Sequence, residues 1–290
     1  MPMTALLLAT VPSSPPQANN LDAPTNPAEV SRPPDSKQYK MKTIEDIIKR
    51  SWSIHRDLLE SPHKKSCMVH DSIPILWFGD MDAYRKSKMK VVTVGLNPSL
   101  KEFSTDKDRF PKAAGLHGKK TFGSKNIEDY TAAMNAYFET EPYFKWFNHF
   151  EKALNPLEAS YYANKRMPNR AVHIDIYAPF ATDPTWSGLC EEQRKYIDKQ
   201  SNGLYEDMMA ILEPDVVLVS ANSAVVKEQF LIRFKAYLGD ADTGSHYLRA
   251  GKTKDGCVVI WGFNNISGPF SINKETLEEK LGQIKNDYAL

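Results

Sequence analysis

Four stretches of the chain end an apolar run on a cluster of small polar residues. The first is Val94-Gly95-Leu96-Asn97-Pro98-Ser99, which closes the run Lys-Val-Val-Thr-Val-Gly-Leu. Gly95 permits a turn or a close approach of another group. Asn97 is a neutral donor and acceptor, Pro98 stops a strand ladder, and Ser99 offers a hydroxyl. An ordinary strand-ending turn has the same composition. The second is His173-Ile174-Asp175-Ile176-Tyr177-Ala178-Pro179. Strand propensity disfavours Asp175, and a buried carboxylate is costly without partners. It is therefore either a salt-bridged structural residue or an acceptor aimed into a pocket. The third, Ser220-Ala221-Asn222-Ser223, leads into a helix. Asn222 or Ser223 suits its N-cap, and Ser223 could also seat a phosphate there. The fourth runs Gly262-Phe263-Asn264-Asn265-Ile266-Ser267-Gly268-Pro269-Phe270-Ser271, a turn composition with an aromatic residue in the loop.

Periodicity supplies the elements that must hold these stretches. Residues 43–59 carry apolar positions three or four apart and read as a helix. Helices are also expected at 127–139, 143–154, 224–234 and 274–288. Residues 191–212 read as one long helix stopped at Glu213-Pro214. Strands are expected at 88–96, 170–178, 215–220 and 257–263, and residues 73–78 form a short apolar run. Strands thus alternate with helices over 88–288, the pattern of an α/β fold with a mostly parallel sheet between two helical layers. In such sheets ligands bind beyond the carboxyl ends of the strands, where the four polar clusters fall.

The 290 residues carry 37 Lys+Arg against 36 Asp+Glu, a net charge of +1, which excludes a grossly basic chromatin-type protein while leaving room for a local basic groove. Cys67, Cys190 and Cys257 lie far apart without a CxxC pair, so a zinc ribbon and a four-thiolate cluster are not expected. They read as small core residues of a reducing compartment, and no metal or cofactor is expected. No apolar run approaches the ~20 residues of a membrane helix. Residues 1–39 hold eight of the nineteen prolines, and the first Lys or Arg is Arg32. They read as a disordered arm rather than a signal peptide, leaving 40–290 as a single domain of a cytoplasmic, monomeric protein.

Together the motifs resemble the uracil-DNA glycosylase superfamily. Gly95-Leu96-Asn97-Pro98-Ser99 is similar to its first motif in the form G-[ILM]-N-P-[GS], and Asn265-Ile266-Ser267-Gly268 to its second, N-P-S-G. The two stand in the family's order, and the likeness spans residues 88–281. A third match is Phe110, thirteen residues after Asn97, where several branches place the aromatic that stacks on the flipped base. The strand 173–179 is similar to the one whose Asn reads uracil, and Asp175 takes that position. The chain departs from the pattern at Ile266, where Pro is usual, at Asp175, and in lacking a general-base Asp in the first motif.

The resemblance implies a three-layer, uracil-DNA-glycosylase-like α/β/α fold and a monofunctional DNA glycosylase. Asn97 would orient the attacking water, Gly95, Leu96, Phe110 and Asp175 would hold the base, and the partner would be DNA with one nucleotide flipped out. Ser99, Ser223, Asn265, Ser267 and Gly268 would contact the backbone. Pro269 and Phe270 would wedge the gap left in the stack. Lys119 and Lys120 lie in an acid-free stretch, 109–126, that could face DNA or be a solvated loop. An Asp accepts naturally from an exocyclic amine, so the expected base is a modified cytosine, as in the prokaryotic antiviral branch that removes glucosylated hydroxymethylcytosine from phage DNA. The alternatives are a uracil or mismatch repair glycosylase, a non-catalytic nucleic-acid or nucleotide binder on the same fold, and an unrelated α/β protein.

Overall fold

A computed structural model describes residues 42–61, 67–104, 106–119, 121–239, 246–264 and 269–290. The expected N-terminal arm, Lys120, Asn265, Ile266, Ser267 and Gly268 lie outside the described residues. From Met41 to Leu290 the chain makes one compact unit.

Helix α1 (Ile44–Glu60) starts where periodicity places it, because Thr43 and Asp46 form a reciprocal cap: the Asp46 amide donates to Thr43 Oγ1 at 3.2 Å and the Thr43 amide to Asp46 Oδ2 at 3.0 Å. Its Ile47, Ile48, Trp52 and Leu58 face the core. The helices that follow are α2 (Met81–Lys86), α3 (Ile127–Asn135), α4 (Phe144–Leu154), α5 (Glu191–Ser201), α6 (Leu204–Leu212), α7 (Ser223–Gln229) and α8 (Lys274–Tyr288). The strands are β1 (Val91–Gly95), β2 (Ala159–Ser160), β3 (Asn169–Asp175), β4 (Val216–Val219), β5 (Lys235–Leu238), β6 (His246–Lys252) and β7 (Val258–Asn264).

Among the described residues the strands form one seven-stranded sheet in the order β2-β3-β1-β4-β7-β6-β5. The first five are parallel, and β6 and β5 add an antiparallel edge. Every residue of β1 and β4 is buried, so both faces of the sheet centre are covered. Helices α1, α5 and α6 pack together, and α8 packs on α4 and β5. This is an α/β protein with a mostly parallel sheet, and its burial fits a three-layer arrangement. From β1 the chain crosses to β3 on one side and then returns to β4 on the other. That reversal makes the carboxyl end of β1 the topological switch point.

Three expectations need correction. The helix expected over 127–139 ends at Asn135, and a single tight turn, Tyr137–Glu139, follows it. The single helix over 191–212 is two helices, because Ser201-Asn202-Gly203 interrupts it and Gly203 takes φ +82°. The helix expected over 224–234 ends at Gln229, and the chain then enters β5. Strands β5 and β6 were outside the expected pattern: Lys-Ala-Tyr-Leu is too short and too weakly apolar to stand out, and β6 alternates only loosely. Cys67 and Cys257 are buried as expected, whereas Cys190 is exposed at the start of α5. Among the described residues no helix is long and apolar enough to cross a membrane.

Candidate active site

In the parallel pair β1–β3, Thr93 lies beside His173 and Gly95 beside Asp175. Side chains two apart share a face of a sheet, so these four positions look the same way. Thr93 Oγ1 is 2.7 Å from His173 Nδ1 and also bonds the Tyr161 hydroxyl. The other ring nitrogen of His173, Nε2, is 3.6 Å from Asp175 Oδ1. When Tyr161 donates to Thr93 and Thr93 to Nδ1, the imidazole proton sits on Nε2, facing the carboxylate. A Cβ at Gly95 would lie 2.5 Å from Asp175 Oδ1 and 3.0 Å from His173 Nε2. The missing side chain is what leaves room for both groups.

Past the strand ends the two segments stay zipped. The Ile176 amide donates to Gly95 O at 3.1 Å, the Tyr177 amide to Leu96 O at 3.0 Å and the Thr182 amide to Pro98 O at 3.3 Å. This pairing holds Asn97, whose Nδ2 donates to Phe180 O at 3.2 Å and contacts Thr182 Oγ1 at 3.0 Å. With the amide nitrogen anchored, its oxygen is the end left to accept a further hydrogen bond.

Here opens a cavity of about 350 Å³, within the range of small-molecule sites. Asn97, Asp175, His173, Leu96 and Ser99 line it, joined by Lys101 and Glu102. Its aromatic wall is Phe78, Tyr143, Trp146, Phe147 and Trp186. The side chain of Asp175 is 5 % exposed and that of Glu102 6 %. Glu102 belongs to a short turn, Leu100–Phe103, capped by Ser99, whose Oγ accepts from the Lys101 amide at 3.3 Å.

Glu102 is the residue that sequence reasoning missed. The Tyr137 hydroxyl donates to its Oε2 at 2.5 Å. Arg109 Nε forms a longer ion pair with Oε2 at 3.8 Å, because Nε also donates to Lys101 O and Nη1 to Glu141 O. Burial therefore dominates and raises the Glu102 carboxyl to about 7; the Tyr137 hydrogen bond and the Arg109 charge oppose the rise, and the Asp175 charge adds to it. A lone Glu in a Lys-Glu-Phe turn carries no motif. Only its distance from Asn97, five residues on, could have raised attention.

The other expected site residues are distributed as follows. Leu96 lines the cavity, whereas Gly95 is buried behind the Asp175 carboxylate and does not line it. Phe110 is buried and does not line it; its ring stacks on Phe103 at 5.5 Å and packs on Tyr137 at 5.3 Å, facing a neighbouring cavity that Glu102 also borders. Phe78, directed inward by its antiparallel bridge to His173, occupies the Asn97 cavity instead. Phe270 is not at an exposed loop tip. It is 0 % exposed and packs on Phe150 at 5.7 Å and on Gly262, where a Cβ would come within 2.3 Å of its ring. Pro269 is buried beside it. An aromatic side chain next to a strand gains more from the core than from water, which decides its direction.

Ser223 opens α7 behind the cap Asn222, whose Oδ1 accepts from the Val225 amide at 3.1 Å; neither residue lines the cavity. Lys119 is exposed, whereas Arg109, at the head of the same basic stretch, points inward. A larger cavity, about 580 Å³, lies at the amino ends of β4 and β7. Glu213, Asp215 and Asp255 line it, an acidic setting that repels phosphodiesters. Among the described residues no group of three His, Cys, Asp or Glu is placed to hold a metal ion.

No model of a known protein family matches this chain, and no curated protein matches it. The site's chemistry therefore rests on its own geometry: an oriented amide, a histidine-backed carboxylate, a second carboxyl group with a raised pKa, and flat aromatic walls.

Proposed function

We propose that the protein is a monofunctional DNA glycosylase on a uracil-DNA-glycosylase-like α/β/α fold, hydrolysing the N-glycosidic bond of a flipped nucleotide. The observation that carries the reading is the convergence of Asn97 and Asp175, seventy-eight residues apart in sequence, on one aromatic-walled cavity at the switch point. The anchored amide presents an oxygen that would hold a water beneath C1′. An amide is a poor base at neutral pH, so the reaction depends on orientation and on stabilising the departing base. Water is the nucleophile, no Schiff base forms, and no cofactor enters the reaction.

The base would lie against the aromatic wall formed by Phe78, Phe147 and Trp186 and present its edge to Asp175. A carboxylate accepts from an exocyclic amine and repels the O4 of uracil, which favours a modified cytosine over uracil. Lys101 and Ser99 at the cavity are suited to a flanking phosphate. With Phe270 in the core, the wedge role passes to the exposed apolar residues next to the cavity lining. These are Leu100, 42 % exposed, and Phe144, 47 % exposed. The protein would act on DNA as a monomer.

The test is to incubate the full chain with single- and double-stranded oligonucleotides bearing uracil, 5-hydroxymethylcytosine or its glucosylated form, and to score abasic sites by alkaline cleavage. Release of a cytosine-type base that is abolished by Asn97→Ala supports the reading. DNA binding without release from any substrate replaces it with a nucleic-acid binder. Release of uracil alone overturns the amino-base preference.

A further inference from the structure

We propose that Glu102 is the acid that protonates the departing base, giving the site a donor to set beside the acceptor Asp175. The inference rests on the glycosylase reading and adds a catalytic residue and a substrate requirement to it. Three geometric facts carry it. Glu102 lines the same cavity as Asn97 and Asp175. Its Oε2 is held by the Tyr137 hydroxyl at 2.5 Å, which orients the carboxyl group. Its ion pair with Arg109 is long, at 3.8 Å, because Arg109 Nε donates to the carbonyl of Lys101 and Nη1 to that of Glu141. A carboxyl group buried beside a second carboxylate is favoured in its protonated form. A carboxylic acid and a carboxylate lining one cavity are complementary to a ring nitrogen and an exocyclic amine on one base edge. The acid donates to the nitrogen, and Asp175 accepts from the amine. Uracil has no such edge, because its ring nitrogen is already protonated.

As the C1′–N1 bond breaks, its electron pair leaves with the base, and the Glu102 proton goes to the base's unprotonated ring nitrogen, so the base departs neutral. The oxygen of the water held by Asn97 bonds to C1′, its surplus proton passes to solvent, and Glu102 regains a proton from solvent. Nothing is oxidised or reduced.

The groups that set the protonation of Glu102 are Tyr137 and Arg109 on one side and Asp175 across the cavity. Lys101 and His173 border the same cavity, and Lys107, Asp108, Asp71 and His117 border the neighbouring one. Burial holds the carboxyl at about 7, so the protonated, active form declines through neutral pH.

The experiment is single-turnover release of 5-hydroxymethylcytosine and of 5-fluorouracil, whose departing anion is stable without a proton, from pH 5 to 9 by wild type and Glu102→Gln, with thermal melts to establish folding. For the cytosine-type base, wild-type rates should fall about tenfold per pH unit above neutrality. Glu102→Gln should be at least about 100-fold slower at pH 6 and flat with pH, within the usual size of acid catalysis. For 5-fluorouracil the two proteins should agree within a few fold. A folded Glu102→Gln that keeps the wild-type rate and profile on the cytosine-type base overturns the role of Glu102 and leaves the glycosylase reading standing. Wild-type protein that releases neither base, and no glucosylated 5-hydroxymethylcytosine in a parallel reaction, overturns the glycosylase reading itself.

Discussion

Gly95 and Asp175 share one space: the position a Cβ would occupy on Gly95 is 2.5 Å from Asp175 Oδ1. The two residues are register partners on adjacent parallel strands, so the first motif and the carboxylate cannot be varied independently. Gly95→Ala should push the carboxylate off His173 and out of the cavity. The expected outcome is a loss of base release much larger than the overpacking cost of about 1–3 kcal/mol read from urea unfolding. Unchanged release would mean that the carboxylate does not act at that spot.

Asn97 is held by acceptors on its nitrogen side. Asn97→Ala should lower base release by about 100-fold or more with little effect on the fold, on the scale seen when one oriented polar group is removed from an active site. Asn97→Asp should not rescue it. A carboxylate oxygen would replace the nitrogen 3.2 Å from Phe180 O, acceptor against acceptor, and the group would swing away. Single-turnover rates of both variants check this.

The raised pKa of Glu102 has a consequence for stability that needs no substrate. Between its ordinary value of 4.5 and its folded value of about 7, the folded chain keeps a proton that the unfolded chain has released. Stability must then fall as pH rises through that window, by about 3 kcal/mol in all, and level off above it. Glu102→Gln should remove this slope and be more stable than wild type at pH 8. Urea midpoints at pH 5 and pH 8 measure it, and identical slopes for the two proteins would contradict it.

Phe270→Ala should behave as a core deletion, costing about 3–5 kcal/mol of stability, as expected for a buried Phe. Leu100→Ala and Phe144→Ala should leave stability nearly unchanged and weaken binding to duplex DNA carrying a flipped nucleotide. Binding by fluorescence anisotropy, set beside thermal melts, separates the two patterns. A stable Phe270→Ala with impaired DNA binding would reverse the assignment.

Much of the fold is legible along the chain. The run around Val94, the β-branched stretch around Ile174 and the periodicity of 43–59 and 274–288 are local patterns, and local patterns survive into β1, β3, α1 and α8. Where two signals compete, the reading is less secure. The polar run 198–203 breaks the apolar period of 191–212, but with no Pro before Pro214 the stop at Ser201-Asn202-Gly203 is easily passed over, and short β5 offers too few residues for a period to be counted.

The site divides the same way. Residue order alone marks Asn97 and Asp175, because a polar residue at the tip of an apolar strand is conspicuous in one dimension. That they line one cavity depends on β3 pairing with β1 across the intervening residues 96–168, a long-range choice made by packing. The same packing turns Phe110 and Phe270 inward, brings Phe78 and Trp186 to the wall, and buries Glu102 on the cavity that Asp175 also lines. Residue type sets what each group can donate or accept. Desolvation and neighbouring charges set which protonation state it holds and which way it faces, and both are properties of the folded volume rather than of the string.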